Sequence, residues 1–291
     1  MVPRSIRALL LVFLAVSPCL KAQSSSTEPA VDESLRPYYQ HAEFSWKTER
    51  LPHFELNFEA NSEAERRLAQ LEEVAERGRT SVLKVLGATA YEPVIHVFFV
   101  GSIARMNELV GAEVIGRSRP TQHAVFCVVA PFSELSLAHE LTHEIVSNLW
   151  GPGEHWLQEG LANYVVDNNS SLMNRQCLGL LQSKQWIPLK LMVNPEWKSS
   201  IYSPDDTYPE LGGFVQYLYE TFGVEYLQIE WTKGSKDLKK VYGKKLSSLE
   251  SAWRSALVKR VGPVHDQINL PGRGGDLLLQ EEISHEHRIN P

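Results

Sequence analysis

Two histidines and a glutamate in the middle of the chain have the spacing of a metal-binding pair with a base beside it. His139, Glu140 and His143 form the motif H-E-x-x-H. If this segment is helical, residues four apart lie on one face, so both imidazoles can reach a single ion. Glu140 is rotated by about 100° from His139 around such a helix, which places its carboxylate beside a water on the ion rather than on the ion itself. Neutral imidazole ligands favour zinc.

The chemistry that this motif allows is hydrolysis of a carbonyl compound. Zinc would lower the pKa of a water, Glu140 would take the proton, and the hydroxide would attack the carbonyl, as in a metallopeptidase. The alternative is an exposed helix face on which His and Glu are merely solvated. An apolar strand pattern before the motif (AVFCVVAP) and a suitable third ligand after it favour the metal site.

The third ligand is expected from the neighbouring segment Trp156–Tyr164 (WLQEGLANY). Glu159 would be an awkward charge among its apolar residues unless it were paired or bound to a metal. His155 is the competing ligand, but it begins the predicted helix. Gly160 is unfavourable inside a helix, which indicates that another backbone packs closely there. The side-chain oxygen of Asn163, one turn after Glu159, could accept a hydrogen bond from a ligand imidazole and fix its orientation.

The order HELTH, then WLQEGLANY, resembles the glutamate-zincin peptidases, the group of thermolysin and the zinc aminopeptidases. More narrowly, it resembles the peptidase-MA-like exported proteins of bacteria. The segments HFELNFE, PVIHVFFVGS and Tyr208–Leu218 are similar to further elements of that family. Asn163 departs from the family pattern, since thermolysin-like enzymes place an Asp there.

The resemblance implies the roles of the site residues. His139, His143 and Glu159 would bind one Zn²⁺ ion per chain, and Glu140 would be the general base. A hydrolase of this kind also needs a donor for the oxyanion, and relatives often use a Tyr or His that follows the ligand helix. Tyr208, just before a predicted turn at Gly212-Gly213, is the catalytic candidate, with Tyr202 in reserve. Tyr208 could equally pack against Phe214 and have no catalytic role.

Composition and charge exclude several other classes. The 291 residues are 43% hydrophobic and 22% charged, which excludes a disordered or collagen-like chain. The formal charge of −6 argues against a nucleic-acid partner, because such domains usually carry a clustered basic excess. No run reaches the roughly 18 apolar residues of a membrane span.

The amino terminus has the layout of a secretory signal peptide. Arg4 and Arg7 supply the positive region, Ala8–Val16 the short apolar region, and Ala22 a small residue for cleavage. A secreted or periplasmic location is therefore expected. Removal of residues 1–23 would leave Cys127 and Cys177, which could form a disulfide in an oxidising compartment or remain as two buried thiols.

The elements that must position these residues indicate an α+β fold. We expect a small mixed sheet with a long helix in the N-terminal half, a mostly helical C-terminal half, and the active-site helix between them. Predicted strands cover residues 53–59, 93–100 and 124–130, with helices at 62–86 and 103–110. Further helices are predicted at 133–149, 154–166, 171–183, 211–222, 224–233 and 247–261.

These elements divide the chain into a signal peptide (1–23), a linker (24–40), one catalytic domain (41–261) and a loosely ordered tail (262–291). The domain has a sheet-bearing half, 41–131, and a helical half, 132–261. A peptide or protein substrate would lie along the strand Ala124–Ala130, taken as an edge strand. The alternatives are a zinc-binding module without turnover, acting in binding or assembly, and a zinc hydrolase of another amide such as a cell-wall peptide.

Overall fold

The computed structural model describes residues 33–129, 133–167, 172–194 and 204–262. The predicted signal peptide and nearly all of the predicted tail lie outside these residues. No helix in the described ranges combines the length and the apolar character that a membrane crossing requires. The described residues form the α+β fold that the sequence predicts, with one five-stranded mixed sheet followed by a helical half.

The sheet consists of three central parallel strands with an antiparallel strand at each edge. Its order is β1-β2-β3-β5-β4. The strands are β1 (Trp46–Arg50), β2 (Phe54–Glu59), β3 (Ile95–Val100), β4 (Gly116–Arg119) and β5 (Ala124–Val128). Strands β2, β3 and β5 are parallel neighbours, while β1 pairs with β2 and β4 pairs with β5 in the antiparallel sense.

The prediction that residues 124–130 form an edge strand is therefore wrong. β5 pairs with β3 on one side and with β4 on the other, so it offers no free edge to a peptide. All five of its residues are buried, as expected of a strand covered on both faces. Among the described strands, β4 is the one with a free edge on this side of the sheet.

The helices complete the fold in chain order. In the sheet-bearing half they are α1 (Arg36–Tyr39), α2 (Glu63–Arg66), α3 (Leu68–Leu86) and α4 (Ile103–Val110). The helical half contains α5 (Ser133–Trp150), α6 (His155–Asp167), α7 (Leu172–Gln182), α8 (Leu189–Met192), α9 (Pro204–Phe222), α10 (Val224–Lys233), α11 (Leu238–Tyr242) and α12 (Leu246–Val261).

Two apolar layers hold these elements together. The larger core lies between one sheet face and α3 and α5, and it continues through α6, α9 and α12 into the helical half. The smaller core covers the opposite sheet face, where Phe98 and Phe126 stack at 5.0 Å beneath α1 and α4. Because Cβ atoms alternate along a strand, the apolar runs in β3 and β5 supply both layers.

The long helix predicted over residues 62–86 is interrupted near its start and forms two helices, α2 and α3. Ser62 caps α2 by accepting a hydrogen bond from the backbone of Glu65 at 3.2 Å, as its position before a Glu three residues later predicts. α2 ends after Arg66, Arg67 separates it from α3, and Gly87 then ends α3 in a left-handed conformation.

The predicted linker extends too far into the folded domain. Residues 33–35 form a 3-10 turn and α1 follows directly, and Leu35 is fully buried in the smaller core. Tyr38 packs its ring edge against Phe126 at 4.7 Å. The folded region therefore begins before His41, because this segment covers apolar sheet surface.

The disulfide left open by the sequence is absent between the described cysteines. Cys127 and Cys177 are both free and fully buried. Cys127 lies in β5 under α5, whereas Cys177 lies on α7 and donates to the backbone oxygen of Pro209 at 2.9 Å. Burial raises the pKa of both thiols, which makes them inert as nucleophiles.

Candidate metal centre

Helix α5 presents His139 and His143 on one face and packs its apolar side into the core. The two Nε2 atoms are 3.0 Å apart, with ring centroids at 4.7 Å. Leu137, Leu141 and Ile145, on the apolar side, are fully buried. The helical spacing predicted from the motif is therefore present, and it aims both imidazoles away from the core.

Helix α6 brings Glu159 to the same point. Its Oε2 lies 3.2 Å from Nε2 of His139, and its Oε1 lies 3.5 Å from Nε2 of His143. Glu159 is only 8% exposed, which is unusual for a carboxylate without a positively charged partner or a metal. The structure thus brings together the three residues that the sequence nominates as ligands.

Close packing of α6 against α9 fixes the position of Glu159. A Cβ atom at Gly160 would lie 2.5 Å from Cγ2 of Val215 and 2.8 Å from the backbone oxygen of Leu211. The prediction that another backbone approaches Gly160 is confirmed. Any larger residue would push α6, and Glu159 with it, away from α9.

The three donors fit a zinc ion. One ligand atom from each of His139, His143 and Glu159 lies within 4.8 Å of the others. Tetrahedral zinc with bonds of about 2.0–2.1 Å separates its ligand atoms by roughly 3.3 Å. The two imidazole nitrogens are 3.0 Å apart, and each lies 3.2 or 3.5 Å from a different carboxylate oxygen of Glu159. Oε2 of Glu159 is buried and receives no aligned hydrogen bond from any described residue, which leaves it open to a cation.

Electrostatics within the group favour ligation by His143 and Glu159. Burial, together with the charge of His139, lowers the pKa of His143 to about 4, so its imidazole is neutral at pH 7. Burial would raise the pKa of Glu159, but contact with His139 and the charge of His143 outweigh it and lower this pKa to about 2. Burial would lower the pKa of His139, yet Glu159 and Glu140 raise it. Metal binding would therefore displace a proton from His139.

Glu140 lies between α5 and the edge strand β4 and is not one of the three clustered donors. Burial, and secondarily the charge of Glu159, raise the pKa of Glu140 to about 7. His139 acts in the opposite direction, as do Arg117 and the backbone N–H of Ser118 on β4. A carboxyl whose pKa lies near 7 is suited to accept and return a proton at neutral pH.

Gly116 on β4 is the residue that lets the strand approach this carboxylate. A Cβ atom there would lie 2.6 Å from Oε1 of Glu140 and 2.5 Å from Oγ of Ser136. The sequence does not predict this contact, because Gly116–Arg119 reads GRSR and has no apolar alternation. The one feature of the sequence that could have indicated a close approach is Gly116 itself, which follows Ile115 and precedes a segment with two arginines.

Tyr208 lies beside the donor group but on a different kind of element than predicted. Its ring is stacked on the ring of His139 at 5.9 Å with an interplanar angle of 26°. It belongs to the first turns of α9, and Gly212 and Gly213 lie inside that helix, so the predicted turn is wrong. The role of Tyr208 as oxyanion donor remains a prediction, and Tyr202 lies outside the described residues.

Two further predictions concern His155 as a competing ligand and Asn163 as a hydrogen-bond partner of a ligand imidazole. His155 lies on the first turn of α6 with Nδ1 3.6 Å from Oε1 of Glu159, outside the three-donor group, and its side chain is 46% exposed. Asn163 donates to the backbone oxygen of Glu159 at 2.8 Å. That bond lies within α6 and involves no imidazole. Nδ1 of His143 is buried without a hydrogen-bond partner among the described residues, so His143 does not form the predicted bond with Asn163.

A buried network behind the donor group was also missed. Glu144, next to His143 and fully buried, accepts from Tyr91 and Asn148 at 3.0 Å each, and His123 Nδ1 lies 3.0 Å away. Burial raises the pKa of Glu144 to about 8, against the effect of the Tyr91 hydroxyl. The network ties α5 to the loops before β3 and β5 and so fixes its rotation.

Comparison with known proteins adds no family to this geometry. The sequence matches no protein-family model, and no curated protein matches it at a significant level. The functional interpretation therefore depends on the donor group and its surroundings.

Proposed function

We propose that this chain is an exported, zinc-dependent peptidase of the glutamate-zincin type. The observation that carries the proposal is the group of His139, His143 and Glu159, whose donor atoms have the separations of zinc ligands, with Glu140 beside it. A structural zinc site would be closed by four ligands and would have no use for an adjacent base. Export is inferred from the layout of residues 1–23 alone.

His139, His143 and Glu159 would hold the ion. When bound, zinc lowers the pKa of water and polarises the substrate carbonyl. Glu140 orients the attacking water, takes its proton, and returns the proton to the leaving amine. Its position against β4 keeps the carboxylate within reach of a substrate on that strand while separating it from the three ligands.

A peptide substrate would lie on the free edge of β4. β4 contacts Glu140 through Gly116 and Ser118, so a peptide pairing with this edge would present its backbone to the base. Main-chain hydrogen bonds to an edge strand orient a peptide independently of its side chains. This replaces the position on residues 124–130 expected from the sequence.

The test is cleavage of a degenerate peptide library by the zinc-loaded full chain, read by mass spectrometry. Glu140→Gln should hold as much zinc and lose at least about a hundredfold in rate, the usual lower contribution of a general base. Glu49→Gln, an exposed residue on β1 at the sheet edge opposite β4, serves as the matched control and should cleave like the parent.

Two outcomes would contradict the proposal. If parent and control both hold zinc and cut no peptide, the chain is a binding module or acts on another amide. Equal cleavage by Glu140→Gln would show that Glu140 is not the base. Export is checked separately by the amino-terminal sequence of protein collected outside the producing cells, which should begin at Gln23 or Ser24.

A further inference from the structure

The backbone of β4 alternates between its partner strand and its free edge. The oxygen of Ile115 accepts from the backbone N–H of Val128 at 2.8 Å, so Ile115 faces β5. In an antiparallel pair the backbone N–H and C=O groups of alternate residues point the same way, so those of Arg117 also point toward β5. Gly116 and Ser118 consequently direct their backbone groups to the free edge, where a peptide would bind.

Arg117 stands between these two residues with an unneutralised charge. It is exposed and forms no ion pair with any residue in the described ranges. Its register partner is Phe126, so its side chain lies on the sheet face that carries Phe126, away from α5. Its charge nevertheless reaches Glu140, which places it within electrostatic range of the reacting centre.

The register fixes which substrate residue would meet Arg117. A peptide that runs antiparallel to β4 and bonds to the backbone of Gly116 and to the backbone oxygen of Ser118, whose N–H faces Glu140, has one residue opposite Arg117 in a non-hydrogen-bonded pair. Side chains approach most closely in such pairs, with Cα atoms about 4.5 Å apart, and both project from the same face. An opposite charge at that position would pair with the guanidinium.

We propose that Arg117 is a specificity-determining residue that selects Asp or Glu at the substrate position opposite it on the β4 edge. This inference rests on the proposed function. The chain carries a formal charge of −6, which repels acidic peptides in general. A preference for one acidic position would therefore need a local cation. Arg117 is the exposed arginine of β4, whereas Arg119 on the same face is partly buried and donates to the backbone oxygen of Val110.

The experiment compares cleavage profiles of the zinc-loaded full chain on the degenerate library. The parent should enrich Asp and Glu about two- to fivefold at one position, the range that an exposed ion pair provides. Arg117→Gln should lose that enrichment, Arg117→Lys should retain part of it, and Arg117→Glu should favour Lys and Arg there. Arg77→Gln removes an exposed arginine from α3 and should keep the parent profile.

A binding measurement separates failure of this inference from failure of the proposed function. Zinc-loaded Glu140→Gln protein is titrated with acidic peptides and their Asn and Gln counterparts, with and without Arg117→Gln. A preference for the acidic peptides that depends on Arg117 supports the inference even if the parent cuts nothing. Cleavage without an acidic preference, or an acidic preference unchanged by Arg117→Gln, would overturn the inference and leave the peptidase proposal intact.

Discussion

Glu140 and Glu159 are the same residue type, yet their surroundings move their pKa values in opposite directions. Glu159 touches two imidazoles and is held ionised, with a pKa of about 2. Glu140 is buried against β4 and has a pKa of about 7. Divergent pKa values in one site separate a permanently charged ligand from a group that exchanges protons. Sequence spacing predicted both roles, while the cause of the difference lies in contacts distant in sequence.

A second buried carboxylate gives a prediction about stability. Glu230 on α10 is fully buried, and neither oxygen has a hydrogen-bond partner among the described residues. Burial, with the charges of Glu154 and Asp237, raises the pKa of Glu230 to about 8. The folded chain thus binds this proton more tightly than the unfolded chain, so stability falls as pH rises from about 4.5 to 8.

Glu230→Gln should remove that loss. We expect the variant to be more stable than the parent by about 1–3 kcal/mol at pH 8.5, the cost of a buried unsatisfied group, and to differ little at pH 5. Urea unfolding at the two pH values measures the difference. Glu225→Gln, exposed on the same helix, is the control and should show little pH-dependent gain. A gain of equal size at both pH values would contradict the assigned pKa.

Among the elements, the contact between α6 and α9 determines the position of Glu159, the proposed third ligand. Gly160 meets the backbone of Leu211, and a methyl group cannot displace backbone as it can a flexible side chain. Gly160→Ala should cost about 1–3 kcal/mol of unfolding free energy and weaken zinc affinity, because Glu159 moves with α6. Calorimetric titration of zinc and urea unfolding measure both effects.

The control for Gly160→Ala is Gly101→Ala. A Cβ atom at Gly101 meets nothing within 4 Å, so its substitution should change stability by no more than about 0.5 kcal/mol. If Gly160→Ala left both stability and zinc affinity unchanged, α6 and α9 would not be packed as described.

Elements whose buried apolar residues recur at a regular spacing could be predicted from the sequence, and elements without that spacing could not. α4 and α10 begin and end where predicted, and β2, β3 and β5 lie within one or two residues of prediction. β1 and β4 (WKTER and GRSR) were missed, because edge strands expose polar side chains and carry little periodic signal. α9 starts seven residues early and continues through Pro209, since its packing outweighs the local Pro and Gly preferences.

At the scale of the whole molecule, the donor group joins two neighbouring helices that pack on different parts of the domain. His139 and His143 belong to α5, which packs on the sheet and on α3, whereas Glu159 belongs to α6, which packs mainly on α9. A bound ion would therefore link α5, which packs on the sheet and on α3, to α6, which packs on α9. Metal binding should stabilise the fold globally rather than one helix.

This linkage predicts a large thermal shift. Zinc at about a thousand times its Kd should add about 4 kcal/mol and raise the Tm by roughly 10 °C, by mass action on the folded state. Calorimetry of the full chain, before and after a chelator, measures it. His143→Ala should abolish most of the shift and Glu140→Gln should retain it. Equal shifts in both variants would place the ion elsewhere.

The absence of a disulfide between Cys127 and Cys177 affects how well the folded chain would resist proteolysis. The described fold contains no covalent crosslink, so every local opening exposes cleavable backbone to proteases, which under the proposed function include other copies of this chain. The population of opened chains falls as the folded state gains stability from a ligand. Under the proposed function, the ion that hydrolysis requires would thereby also protect the chain from digesting itself, and a chain that loses its ion would become inactive and degradable in the same step.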